Sequence, residues 1–109
     1  MASASTRRAV GQKSLPQGFV AVPSTLTELT AVDTWIFQIV VSNTTGAPVT
    51  FLVQDQQGTP RKLVPTISLG ANSVTVLDFP EGVLMKSGVK WQAGAATSLD
   101  AEVFGMRRD

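Results

Sequence analysis

Four groupings of side chains in this 109-residue sequence have types and spacings that could do chemistry. Ser87 lies beside Lys86 and near Lys90, the composition of a Ser–Lys nucleophile in which an amine takes the hydroxyl proton. Neighbouring strand residues point to opposite faces, and Ser87-Gly88 reads as a turn, so a solvated turn is the better reading. Asp78 with Glu81, and Asp100 with Glu102, are carboxylate pairs of the kind that divide acid and base roles in glycoside hydrolysis. Asp100 and Glu102, however, alternate with Leu99, Ala101 and Val103, which puts them on the solvated side of a strand. Asp55, Asp78 and Asp100 sit near turns and offer oxygen ligands for Ca²⁺, but no D-x-D-x-D loop gathers them. Trp35 and Trp91 could form a sugar-stacking platform. Each instead falls on the inward phase of its strand, Trp35 with Phe37 and Ile39 and Trp91 with Val89 and Ala93, which predicts core packing for both.

The absent residue types narrow the chemistry further. The chain has no His and no Cys, which removes the commonest general base, thiol nucleophiles, disulfides and the usual zinc ligands. It has no glycine-rich phosphate motif. No apolar run reaches the roughly 18 to 20 residues that cross a bilayer as a helix. The expectation is a protein that is not an enzyme, with no catalytic residue, no metal site, no cofactor and no membrane partner.

The elements that position these residues read as strands. From Gly18 onward the apolar period is two. Trp35, Phe37, Ile39 and Val41 form one face of a strand whose other face mixes Ile36 and Val40 with Gln38, as expected for a central strand. Residues 43–48 and 55–60 are turns flanking Val49–Gln54, with Val49, Phe51 and Val53 inward. Pro65 cannot donate to a ladder, so Leu63–Leu69 should be an edge strand or carry a bulge. Ser73–Phe79, Val83–Met85, Val89–Ala93 and Leu99–Val103 follow, and Gly18–Val22 and Thr25–Val32 precede. Thr25-x-x-Glu28 matches a capping box, but β-branched residues favour a strand there. The fold class is all-β: an antiparallel β-sandwich of about eight short strands, jelly-roll-like, with an extended amino-terminal arm. The predicted division is an arm over residues 1–17 and a sandwich over residues 18–109.

Charge follows the same division. Residues 1–17 hold Arg7, Arg8 and Lys13 and no acid, a net +3, whereas residues 18–106 are net −3 and the last three residues net +1. An acidic body with basic ends lacks the concentrated basic face of a nucleic-acid binder, and suits docking onto an acidic neighbour or another copy. The arm has too few large apolar residues for its own core. Its basic pair is not followed by the apolar stretch of a secretory signal. The candidate partner-binding residues are therefore Arg7, Arg8 and Lys13 as charges, Val10 and Leu15 as apolar anchors, and Arg107 and Arg108 at the other end.

Two stretches carry a resemblance. Leu26–Val32, Ile36–Asn43, a Thr-Gly turn and Val49–Asp55 form the first. The second runs from Ile67-Ser68-Leu69-Gly70-Ala71-Asn72-Ser73 through Phe79–Val83 to Ser87–Trp91. Their progression of extended strand, Asn-Thr strand end, small-residue turn and partner strand resembles small β-sandwich virion proteins of tailed bacteriophages. The resemblance implies a structural role in the virion, assembled in the host cytoplasm: capsid decoration or a tail-associated position. It implies other virion proteins as partners and a homo-oligomer, for which a trimer fits a decoration protein. A tail- or fibre-associated carbohydrate- or receptor-binding module is the alternative.

Overall fold

The computed structural model describes residues 13–107. Eight strands fill that span: β1 (Lys13–Ala21), β2 (Thr27–Thr30), β3 (Thr34–Asn43), β4 (Val49–Asp55), β5 (Lys62–Leu69), β6 (Ser73–Met85), β7 (Val89–Ala93) and β8 (Leu99–Arg107). The possible helical turn at Thr25 is not taken, and β2 pairs antiparallel with β7. The two predicted strands 73–79 and 83–85 are one long strand, β6. β1 begins at Lys13, so the sandwich starts inside the stretch read as arm, and the reading of residues 1–12 as arm lies outside the described residues.

The strands form two antiparallel four-stranded sheets, with orders β1-β8-β3-β6 (sheet A) and β2-β7-β4-β5 (sheet B). The pairing is nested. β4 pairs with β5, β3 with β6, β2 with β7 and β1 with β8. Two further pairings, β3 with β8 and β4 with β7, complete the sheets. The core between the sheets is made by Ile36, Ile39 and Val41 of β3, Val49, Phe51 and Val53 of β4, Val89, Trp91 and Ala93 of β7, and Leu99, Ala101 and Val103 of β8. The alternation in β4, β7 and β8 is thus read correctly from sequence. β5, which contains Pro65, is an edge strand with a register shift, as the missing N–H requires.

β3 departs from its expected phase. Its register against both β6 and β8 shifts between Ile36 and Gln38. A bulge inserts one residue and flips the inward set, so Thr34 and Ile36 are buried before it and Ile39, Val41 and Asn43 after it. Trp35 therefore does not join Ile39 in the core. It is half-buried on the outer phase of sheet A, opposite Leu84 and Met106, whereas Trp91 is 3% exposed as expected. Gly105 lets the bulge form, because a Cβ there would collide with the Trp35 carbonyl oxygen.

Asn43 ties one end of the sandwich together. Its Nδ2 donates to the carbonyls of Ala47 at 2.9 Å and of Leu69 and Gly70 at 3.1 Å. Its Oδ1 accepts from the Thr45 amide at 2.9 Å and the Thr45 hydroxyl at 2.8 Å. The Asn72 amide in turn donates to the Thr45 carbonyl, and the Thr44 amide to the Ser98 carbonyl.

Candidate functional site

The nested pairing sorts the loops into two ends of different chemistry. The β1–β2, β3–β4, β5–β6 and β7–β8 connections gather at one end, and residues 22–26, 44–48, 70–72 and 94–98 carry no charge. The other three connections hold Asp33, Arg61 and Lys86, with Asp55 and Lys62 at the strand ends beside them.

Asp55, Gln57, Arg61, Lys62, Lys86 and the apolar Leu63, Val83, Leu84 and Met85 line a cleft of about 330 Å³ at this charged end. The Asp55 carboxylate is buried and committed to its own loop. It accepts from the Arg61 amide at 2.8 Å, from the Gln57 amide at 3.4 Å and from the Gln57 side chain. Burial alone would raise its pKa. The Arg61 amide, the Gln57 side chain and amide, and the Arg61 charge outweigh burial and hold it below the ordinary 3.8. A depressed carboxyl contributes stability above its unfolded pKa and loses that contribution as pH falls through the folded one. Urea midpoints of the wild type are therefore expected to fall as pH drops below about 4, and Asp55→Asn to be weaker at neutral pH with a shallower acid limb. An unchanged acid limb in the variant would mean that Asp55 is not what acid attacks.

Neighbouring capping contacts fix this end. Asp33 Oδ1 accepts from the Ser87 amide at 2.8 Å, and the Gln56 Nε2 donates to the Thr30 carbonyl at 2.8 Å and to Glu28 at 3.0 Å. Ser87, the nominal nucleophile, is a turn residue at φ 66. No group of three or more metal-ligating side chains that could hold an ion occurs among the described residues.

The outer face of sheet A is the second distinctive surface. Val74 and Val76 of β6 are 64% and 53% exposed. The registers place Ser42 beside Val74 and Asp100, Val40 beside Val76 and Glu102, and Gln38 beside Asp78 and Phe104. The Gln38 amide reaches Asp78 at 3.4 Å. Asp100 and Glu102 thus stand on the solvent side, as the alternation indicates, and Asp78 with them.

The expected partner-binding residues are dispersed. Arg7, Arg8, Val10 and Arg108 lie outside the described residues. Lys13 opens β1 opposite Gly105. Leu15, expected as an anchor for a partner, is packed in the core of its own sandwich opposite Val103. Arg107 is exposed at the end of β8, beside Thr34. Sequence reasoning missed Val74 and Val76, because Val74-Thr75-Val76-Leu77 offers apolar residues to both faces and gives no sign of which is outward. It missed Arg61, Lys62 and Lys86 as a group because their proximity depends on the nested pairing. The two tryptophans now separate experimentally. Trp35 left alone in Trp91→Phe is expected to emit at longer wavelength and quench more with acrylamide than Trp91 left alone in Trp35→Phe. Equal quenching would place both indoles inside.

No family model matches the chain, and neither a curated protein nor a solved structure matches it.

Proposed function

We propose that this chain is a non-enzymatic structural protein of a tailed-phage particle, a subunit that binds and reinforces the capsid surface through its basic arm and its sandwich. The observation that carries the reading is the strand order, β1-β8-β3-β6 facing β2-β7-β4-β5. That nested, doubly wound order is what a jelly roll has, and viral capsid proteins and lectins are built on jelly rolls. The resemblance of residues 26–91 to small phage sandwiches points the same way. A subunit of this kind acts by adding contact area. Ordering the arm on a neighbour carries an entropic cost, offset by charge-assisted contacts from Arg7 and Arg8 and by repetition over many copies in an oligomer.

The test is co-sedimentation with capsids of the phage that carries it. The truncation must stop at residue 12, because Lys13 opens β1 and Leu15 belongs to the core. Removing residues 1–12 is expected to leave the sandwich folded by circular dichroism and to weaken particle binding. Equal binding of truncated and full-length chains would refute the arm's role, and no binding by either would refute the particle.

One observation favours the alternative of a carbohydrate- or receptor-binding module: Trp35 stands on the outer phase of sheet A with Leu84 and Met106 as its cross-strand neighbours. A glycan-array signal lost in Trp35→Ala would select that reading over decoration.

A further inference from the structure

Four strands form the edges of the two sheets: β1 and β6 in sheet A, β2 and β5 in sheet B. An unpaired edge is a template for another chain, and proteins blunt it with short strands, proline, lysine or bulges. Three of the four are blunted. β2 has four residues, β5 contains Pro65 and opens on Lys62, and β1 contains Pro16 and a register break between Leu15 and Val20. Along β6, Ser73–Phe79 has no proline and no lysine, pairs among the described residues only with β3, and shows Val74 and Val76 to solvent. Pro80 ends the usable stretch.

We propose that this edge is the receptor for the amino-terminal segment of a second copy, which adds to sheet A as an antiparallel strand with Val10 opposite Val76. The spacing of the two segments carries the register. In an antiparallel pair, Val10 opposite Val76 puts Arg8 opposite Asp78 and Gln12 opposite Val74. The apolar anchor meets an exposed valine, and a cation meets an exposed carboxylate, on the same face. The charge balance agrees: residues 1–12 hold Arg7 and Arg8 and no acid, a net +2, while the outer rows of sheet A present Asp78 and Asp100. Main-chain hydrogen bonds supply affinity in such strand addition, and the alternate side chains supply register.

The geometry assigns the donor to a second copy. β1 and β6 are the opposite edges of sheet A, three strand spacings or about 14 Å apart. β1 enters at Lys13 beside Gly105 and runs toward Asp100. Extending that line backward past Lys13 leads away from the rows that hold Val76 and Asp78, so the chain's own segment would have to reverse and cross β8, β3 and β6. A neighbour's segment has no such requirement. This deepens the clasping role proposed above by naming the partner, and it is tested without particles, so the two readings can fail separately.

The test uses full-length chains, which have no native cysteine. Val10→Cys and Val76→Cys chains are mixed in equal amounts under oxidised glutathione. The expected result is a mixed disulfide dimer that forms at least about tenfold faster than with Val74→Cys, one side-chain pair out of register. Asp78→Lys is expected to slow the crosslink several-fold, and Arg8→Glu on the partner to restore it. Equal rates at positions 74 and 76, or indifference to both charge reversals, would overturn the register. A chain carrying both cysteines that closes only on itself would overturn the second copy as donor.

Discussion

Replacing Gly88 with alanine is expected to destabilise the sandwich by about 3 kcal/mol, which in a domain of this size lowers the thermal midpoint by about 15 °C. Two independent costs combine. Gly88 sits at φ +118, a conformation that side chains with a Cβ rarely adopt. A Cβ there would also overlap the Thr30 carbonyl oxygen and lie 2.6 Å from Gln56 Nε2. Those two groups hydrogen-bond to each other at 2.8 Å, so neither can withdraw without breaking the link between β2 and the β4–β5 connection. Thermal unfolding followed by circular dichroism measures the effect. Gly46→Ala is the control, because nothing lies within 4 Å of a Cβ there and its φ is ordinary. A Gly88→Ala midpoint within about 3 °C of that control would mean that the β2 end yields freely, and the account of this end would be wrong.

Asn43→Ala is expected to cost about 2 to 4 kcal/mol, beyond what an exposed turn residue loses, because the orphaned groups are buried or half-buried. The substitution strips the carbonyls of Ala47, Leu69 and Gly70 of a shared donor and the Thr45 amide of its acceptor. Asn43→Asp keeps the acceptor, loses the three donations and places a charge at a position 1% exposed, so it is expected to be worse than alanine. Urea unfolding gives the order. Amide exchange gives the location: Thr45 and Asn72 should lose protection first, since the Asn72 amide leans on the Thr45 carbonyl. A cost below about 1 kcal/mol for alanine would show that water replaces the side chain at little loss.

The fold was legible where one periodicity held from end to end. β7 alternates throughout, β4 over Val49–Val53 and β8 over Leu99–Val103, and the inward residues of those stretches follow directly from the sequence. Pro65 marks an edge because a missing N–H has one structural meaning. The apolar pattern misphases β3 because a bulge adds a residue without changing that pattern, and Gly105, whose bare backbone admits it, lies on another strand. Composition marks residues 1–17 as poor in core residues and so points Leu15 outward, yet one leucine beside Val103 suffices to begin β1. The candidate surfaces were less legible still. Asp33, Asp55 and Gln56 make their contacts across gaps of 54, 6 and 26 residues. Which residues share an end or an edge is a property of pairing order, and no local spacing encodes it.

The position of β8 has a consequence for synthesis. β8, synthesised after the other seven described strands, is an interior strand of sheet A, between β1 and β3. Until its residues emerge, β1 has no partner in its sheet and β3 lacks one of its two neighbours. A nascent or prematurely ended chain therefore cannot present a finished sheet, and it exposes two raw edges that quality-control proteases and chaperones recognise. Synthesis of β8 works as a licence for folding: only copies translated through β8 close the sandwich.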